Sequence, residues 1–276
     1  MKIYRFPEKI VVEHDAKLFH VPTKDWDAFI NRPQLHTAIL NELTHLEPVL
    51  QSFGQRDLLK PIVGQEVWAS GVTYMRSKTA RMAESKEAGG GTFYDKVYEA
   101  ERPELFFKAT AARTVGPYEK VRIRKDSGWD VPEPELTLFI CSQGSIEGYT
   151  IGNDMSSRSI EGENPLYLPQ AKTYTGSAAL GPCLLVPEHP ISPSTEITLV
   201  ITRNNAPVFE ERIAIDQMKR KLTDLVDYLF RECSFDLGVY LMTGTGIIPP
   251  DDFTLQSHDE VAITIDGIGT LVNTVA

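Results

Sequence analysis

Apolar and polar residues alternate along much of the chain from residue 118 to the C-terminus. The runs with this period of two are separated by Gly, Pro, Asn or Asp, which are typical turn residues. The runs predicted as strands are YEKVRIR, ELTLFIC, SIEGYTIG, EITLVITR, PVFEERIAI, EVAITID and GTLVNTV. The pattern predicts an α+β or mostly β domain in which a sheet folds over itself as a roll.

Other segments have helical rather than strand-like periodicity. Residues 33–50 place apolar side chains at spacings of four, four and three, which predicts a helix. Residues 73–88 are rich in helix formers and end at the glycines 89–91, so we expect a helix and then a loop able to move over a site. Residues 216–233 carry an apolar stripe, and Asp216 is predicted to cap the N-terminus of that helix.

The first part of the chain differs in pattern from the rest. A chain of 276 residues is long enough for one large domain with a small companion. We therefore predict a small N-terminal α/β domain over residues 1–63, acting as a lid or docking unit. Residues 64–276 form the larger, strand-rich domain.

Charge and cysteine content exclude several classes of partner. The formal net charge of −10 repels nucleic acid and anionic membranes. Three scattered cysteines with no CxxC pair give no disulfide framework and fit a reducing compartment. There is also no apolar signal core and no uninterrupted stretch of membrane-spanning length. We expect a cytoplasmic protein without nucleic-acid or membrane partners.

The stretch VPEPELTLFICSQGSIEGYTIGNDMSSR begins with two glutamates one proline apart and has an aspartate nineteen residues beyond the second of them. Glu133 and Glu135 are two residues apart at the start of a predicted strand, so they share one face and repel each other unless a cation lies between them. If that strand reverses near Gly144 and pairs with the next, Asp154 returns to their level. Three oxygen ligands without a nearby Cys or His favour Mg²⁺, with Mn²⁺ or Ca²⁺ as substitutes. Taken singly, these residues are more typical of solvated turns.

Four motifs in order along the chain carry a resemblance to a known family. The runs EPELTLFI, GYTIGNDMSSR, AKTYTGSAALGP and LMTGTG resemble the fumarylacetoacetate hydrolase family over about residues 64–276. The resemblance implies a catalytic domain of that fold, with Glu133, Glu135 and Asp154 as metal ligands. It also implies that Lys172 reaches toward the metal-bound substrate and that Thr245 binds the substrate carboxylate. Assembly as a homodimer or a higher homo-oligomer is typical of the family.

The hydrolase dyad of the family is missing. The corresponding segment of the hydrolases reads Gly-x-Asn-Tyr-x-x-His-x-x-Glu, and this chain has Gly71, Thr73, Tyr74, Ser77 and Ala80 at those positions. Neither a serine nor an alanine replaces the imidazole that activates water. A metal that chelates a 2-oxo acid still acidifies the C3 protons, so a C4 hydroxyl can be lost. The pairing of ASGVTYMRS with ERPELFFKAT resembles the 2-keto-3-deoxy-D-arabinonate dehydratases of the same superfamily.

Roles follow for the remaining polar residues. Lys172 is predicted as the base, since burial beside a divalent cation favours loss of its proton. Glu104 is predicted to protonate or hydrogen-bond the departing hydroxyl, although alone it would be a surface glutamate. Lys108 and Arg158 hold oxygens of the sugar acid or form structural ion pairs.

Two further residues of the same segment are candidates for substrate hydroxyls. These are Tyr74 and Ser77, although Tyr74 is equally consistent with a core residue.

The sequence thus predicts a metal-dependent lyase that converts a 2-keto-3-deoxy sugar acid to a 2,5-dioxo acid. Two alternatives stay open. One is a hydrolase or decarboxylase of a 2,4-dioxo or 2-oxo acid that uses another base. The other is a noncatalytic sugar-acid binding protein, against which the intact carboxylates and Lys172 argue.

Overall fold

The computed structural model describes residues 1–50, 53–84 and 91–276. Strands dominate the described chain, with short α-helices between them. The strands are β1 Lys2–Arg5, β2 Ile10–His14, β3 Lys17–Val21, β4 Pro48–Val49, β5 Glu66–Gly71, β6 Glu104–Thr110, β7 Thr114–Val115, β8 Lys120–Val121, β9 Asp130–Val131, β10 Pro134–Ile140, β11 Ile146–Asp154, β12 Ser156–Ser157, β13 Ala178–Leu185, β14 Glu196–Arg203, β15 Ala206–Ala214, β16 Val239–Met242, β17 Glu260–Ile265 and β18 Gly269–Val275. The helices are α1 Trp26–Ile30, α2 Leu35–Leu43, α3 Met75–Glu84, α4 Gly91–Glu99, α5 Arg158–Glu163, α6 Leu168–Lys172 and α7 Leu222–Leu229.

A large sheet takes its strands from residues between 2 and 242. Its order is β4-β3-β2-β1-β13-β11-β10-β16-β5-β6, with β7 pairing alongside β13. Strand β10 lies inside this sheet and is buried along its full length. Both of its faces are covered, so the polar residues Glu135 and Thr137 of its sequence PELTLFI are buried along with the apolar ones.

A second sheet packs against one face of the first. Its order is β15-β14-β17-β18-β8, and in β14 the side chains of Ile197, Leu199 and Ile201 alternate inward. They share one hydrophobic core with Leu136 and Ile151 of the large sheet. Two packed sheets of this kind confirm the predicted mostly β architecture with a folded-over sheet.

The N-terminal strands continue the large sheet. Strand β1 pairs antiparallel with β13, with Ile3 opposite Leu184, and Val12 lies in one core cluster with Leu180. The predicted boundary between residues 63 and 64 remains a prediction. The observed pairing means that this N-terminal segment and the strands that carry the site belong to one sheet.

Some sequence expectations differ from the structure. The predicted cap at Asp216 is wrong, because helix α7 begins at Leu222 after Lys221. Asp216 lies in a 3₁₀ turn, and its backbone N–H donates to Pro193 O at 2.8 Å instead of starting a helix. Of the predicted glycine loop, residues 89–90 lie outside the described residues, and Gly91 begins α4, a helix that the sequence pattern did not indicate.

Candidate active site

The three carboxylates converge as the sequence predicted. Strands β10 and β11 form a hairpin in which Glu135 lies opposite Gly152, and Asp154 N donates to Glu133 O at 2.9 Å. Glu133, Glu135 and Asp154 are all buried, and ligand oxygens from the three lie within 4.8 Å of one another. The hairpin register therefore brings three carboxylates together at its open end.

Glu135 accepts a backbone hydrogen bond from the loop after β16. The N–H of Gly244 donates to Glu135 Oε2 at 2.6 Å, and Gly244 has φ +92°. A Cβ at this position would lie 2.0 Å from Thr73 Oγ1, so both conformation and space require glycine. The LMTGTG motif thus supplies a donor to the carboxylate cluster.

Burial raises the pKa of Glu135 well above its usual range, and the charges of Asp154 and Glu133 raise it further. A carboxyl in this position is stabilised as the anion by a cation placed among the three groups. The donor set consists of carboxylate oxygens, which Mg²⁺ prefers over the nitrogen and sulfur ligands of zinc. The residues present therefore fit a hard divalent cation.

Lys172 lies within the cluster. It ends helix α6, its side chain is 1% exposed, and its Nζ is 2.5 Å from Glu133 Oε2 and 3.0 Å from Asp154 Oδ2. The ring of Phe106 lies 5.9 Å from the same nitrogen. A buried amine is thus held at two of the three carboxylates.

Lys108 lies behind the cluster and is fully buried. Its Nζ donates to Met155 O at 2.9 Å and to Lys172 O at 2.5 Å, and it forms an ion pair with Asp154 Oδ1. An ammonium has three N–H donors, and these three contacts match that number. The contacts favour the structural ion pair over the substrate contact, the two roles that the sequence left open for Lys108.

Arg158 begins helix α5 and is buried beside Glu133. Its Nη2 lies 3.1 Å from Glu133 Oε1, and its backbone N–H donates to Trp129 O at 2.8 Å. The guanidinium therefore orients the same carboxylate that Lys172 contacts.

A small cavity lies over the carboxylates, and we call it the chamber. Its volume is about 10 Å³. The residues that line it are Ser70, Gly71, Val72, Ser77, Phe106, Glu133, Glu135, Asp154, Arg158, Lys172, Gly244 and Thr245. The predicted residues Tyr74, Glu104 and Lys108 are not among them.

The hydroxyls near the chamber already have protein partners. Ser77 Oγ donates to Tyr74 O at 2.7 Å, and Thr245 Oγ1 donates to Ile247 O at 3.2 Å. Tyr74 is buried and packs on Gly246, where a Cβ would lie 2.7 Å from the ring. These contacts support the core interpretation of Tyr74, whereas Ser77 and Thr245 face the chamber.

Glu104 lies beside the chamber rather than in its lining. It stands opposite Gly71 in the β5–β6 ladder, and its carboxylate covers Gly71 so closely that a Cβ there would be 2.1 Å from Glu104 Oε2. Glu104 and Phe106 lie two residues apart in β6 and share one face. The carboxyl of Glu104, which the sequence predicts as the acid, therefore lies near the chamber wall.

The sequence interpretation missed parts of the chamber wall. Phe106 is not among the residues that the sequence predicted for the site, although it lines the chamber. Val72 has φ +53°, a left-handed conformation that is rare for a β-branched residue and that marks the turn from β5 into α3. No sequence signal indicates this conformation at Val72, whereas a glycine inside a strand, such as Gly71, signals close approach by a neighbour.

Comparison with known proteins gives a consistent result. The family model described as fumarylacetoacetate (FAA) hydrolase C-terminal matches residues 67–276. A protein of Haloferax volcanii named probable 2-keto-3-deoxyxylonate dehydratase is 45% identical over 85% of this chain and 80% of its own length. The 2-dehydro-3-deoxy-D-arabinonate dehydratase of Saccharolobus solfataricus is 44% identical over 83% of this chain and 78% of its own.

A solved structure agrees in fold. It is that of 2-keto-3-deoxy-D-arabinonate dehydratase complexed with magnesium and 2,5-dioxopentanoate. It superposes with a TM-score of 0.84 at 36% identity, covering 100% of this chain and 98% of that one. The family model matches most of the chain, and the two dehydratases are 44–45% identical to it. The chain therefore belongs to the fumarylacetoacetate hydrolase family.

Proposed function

We propose that the chain is a Mg²⁺-dependent hydro-lyase that dehydrates a 2-keto-3-deoxy sugar acid, such as 2-keto-3-deoxy-D-arabinonate, to a 2,5-dioxo acid. The observation that carries this proposal is a buried carboxylate triad that holds a lysine amine, in a chain with Ser77 and Ala80 in place of the hydrolase dyad. The identity of 44–45% to dehydratases of such acids supports the same reaction.

Glu133, Glu135 and Asp154 are the residues that we propose to hold Mg²⁺. When bound, the ion acts as a Lewis acid that withdraws electrons from a 2-oxo acid and so makes its C3 protons more acidic. The fit rests on the oxygen donor set and on the raised pKa of Glu135.

Lys172 is the proposed base. Its Nζ lies at two of the three carboxylates and is screened from water, so in its neutral form it is placed to accept a C3 proton. The C4 hydroxyl leaves as water with a proton from Glu104, the proposed donor, while the C3 proton stays on Lys172. The proton on Lys172 then returns to C3, a proton lost from C5 restores Glu104, and the C5 hydroxyl proton moves to C4, which gives the C5 aldehyde.

Substrate contacts are proposed for residues that face the chamber. Thr245, Ser77 and Arg158 line it, which supports a role in binding the carboxylate and hydroxyl oxygens. For Lys108 we propose a structural role instead, because its donors already contact protein oxygens. The contacts of Tyr74 support a role in packing the TGTG loop.

The test is a panel of 2-keto-3-deoxy acids incubated with the protein and Mg²⁺, with NMR to detect a 2,5-dioxo acid. We expect turnover of at least one five-carbon acid, and loss of that turnover with a chelator. The Glu135→Gln variant is the matched control, since it keeps the shape of the side chain and removes its charge. Faster cleavage of an acylpyruvate than dehydration of any sugar acid would favour the hydrolase alternative.

Two further proposals concern the location of the protein in the cell and its assembly. Among the described residues, no helix combines the length and the apolar content needed to cross a membrane. We propose a cytoplasmic location and assembly as a homodimer or higher homo-oligomer. Light scattering of the purified protein tests the assembly, and a monomeric mass would contradict it.

A further inference from the structure

The chamber is too small for the proposed substrate. Its volume of about 10 Å³ accommodates about one water molecule. A five-carbon acid whose C1 and C2 oxygens lie at the carboxylates must therefore extend its remaining carbons beyond the present chamber wall.

A larger cavity lies on the other side of that wall, and we call it the outer cavity. Its volume is about 390 Å³, within the range of small-molecule sites. The residues that line it are Phe106, Phe107, Arg124, Leu168, Pro169, Gln170 and Thr173. Among the described residues, Phe106 is the one that lines both cavities.

The position of Phe106 suits a movable partition. It belongs to β6, the last strand of the large sheet in the described part of the chain, and its side chain is only partly buried. Its ring lies 5.9 Å from Lys172 Nζ. Rotation of the ring toward the outer cavity would join the two spaces directly beside the proposed base.

The walls of the outer cavity offer suitable contacts for a hydroxylated carbon chain. Leu168 and Pro169 belong to α6, the helix that ends at Lys172, so this wall continues to the amine. Arg124 and Thr173 add polar atoms, and Arg124 Nη1 donates to Gln170 O at 3.1 Å. The cavity thus combines apolar surface with the polar side chains of Arg124, which also donates to Asp126, and Thr173, which also donates to Phe107 O.

We propose that Phe106 separates the chamber from the outer cavity, that the outer cavity receives the carbons of the substrate beyond C3, and that Phe106 thereby sets the accepted chain length. This inference rests on the proposed function, because it takes a 2-keto-3-deoxy acid as the substrate. The residue is a specificity determinant that contacts the distal carbons, separate from the groups that move protons.

The test compares five-carbon and six-carbon 2-keto-3-deoxy acids in the wild type, Phe106→Ala, Phe106→Leu and the control Leu105→Ala. Leu105 precedes Phe106 in β6, lines neither cavity and packs against the core between the sheets. We expect Phe106→Ala to raise the kcat/KM ratio of six-carbon to five-carbon acid by about tenfold or more, the effect typical of one carbon in a pocket. Phe106→Leu should change this ratio less, and Leu105→Ala should leave it unchanged.

If Phe106→Ala and Phe106→Leu lower kcat/KM equally for both acids, so that the ratio of six-carbon to five-carbon acid is unchanged, the inference is overturned. A binding measurement separates this failure from failure of the proposed function. Calorimetry with Mg²⁺ measures the affinity for the unreactive acids 2-oxobutanoate and 2-oxohexanoate. In Phe106→Ala the affinity for the longer acid should rise by about tenfold. That gain without dehydration by the wild type would refute the reaction and retain the partition. No gain would refute the partition.

Discussion

Replacement of Lys108 by methionine tests the most completely buried cation near the site. Methionine keeps most of the length of the side chain, so the change removes the ammonium and leaves little new cavity. It takes one counter-charge from buried Asp154 and a donor from each of two carbonyls, those of Met155 and Lys172. The lost contacts are therefore with the segments that carry Asp154, a proposed metal ligand, and Lys172, the proposed base.

The magnitude follows from these contacts. Removal of one partner of a buried ion pair costs about 3–5 kcal/mol. Lys172 still contacts Asp154 at 3.0 Å, which favours the lower half of that range. With a urea m-value of about 3 kcal/mol/M, the unfolding midpoint should fall by about 1–1.3 M.

The assay is urea unfolding in chelator, so that metal binding adds no stability. Lys60→Met is the matched control, because Lys60 Nζ also donates to two carbonyls, Ala111 O at 2.6 Å and Thr114 O at 2.7 Å. Lys60 has no ion pair within the described residues, so its loss should cost about 1–2 kcal/mol. Equal losses in the two variants would refute the argument from the buried ion pair.

Kinetics separate the two roles that the sequence left open for Lys108. A positioning role predicts that kcat and Mg²⁺ affinity fall, because Asp154 and Lys172 shift, while KM for the sugar acid changes little. A raised KM with unchanged stability would instead indicate that Lys108 binds substrate.

The remaining predictions concern the triad, the base and the missing dyad. Glu135→Gln or Asp154→Asn should abolish Mg²⁺ dependence and most turnover while circular dichroism stays unchanged, and normal turnover in both would refute the metal assignment. Lys172→Met should still bind the 2-oxo acid but lose kcat by about two to four orders of magnitude and lose exchange of C3 hydrogen for deuterium. Near-normal exchange in that variant would make Glu104 the next candidate. The wild type should cleave fumarylacetoacetate at no useful rate, because Ser77 cannot activate water, and efficient cleavage would contradict that reasoning.

The convergence of the carboxylates was predictable because it depends on local rules. The two-residue spacing of Glu133 and Glu135 fixes a shared face, and a hairpin near Gly144 fixes the level of Asp154. In the structure β10 and β11 form that hairpin, and Asp154 lies beside Glu133.

Other features depend on contacts between distant segments, which the local pattern does not specify. The pairing of β1 with β13 joins residues more than 180 positions apart. The three contacts of Lys108 are with oxygens of residues 154, 155 and 172, and Phe106 lines two cavities only because α6 packs beside β6. The error at Asp216 has the same origin, since bonding of the 215–219 turn to Pro193 and Thr73 overrides the local capping preference.

The pairing of β1 with β13 has a consequence for synthesis on the ribosome. The hairpins of β1 to β3 have their own partners as soon as they emerge, but the outer edge of β1 pairs with residues 184 and 185. At a translation rate of about 5–20 residues per second, that edge waits roughly 10–40 s for its partner. During this time an unpaired strand edge next to the apolar residues Ile3 and Val12 is exposed to other nascent chains. Chaperone binding to the first strands during translation is therefore expected to raise the yield of folded protein.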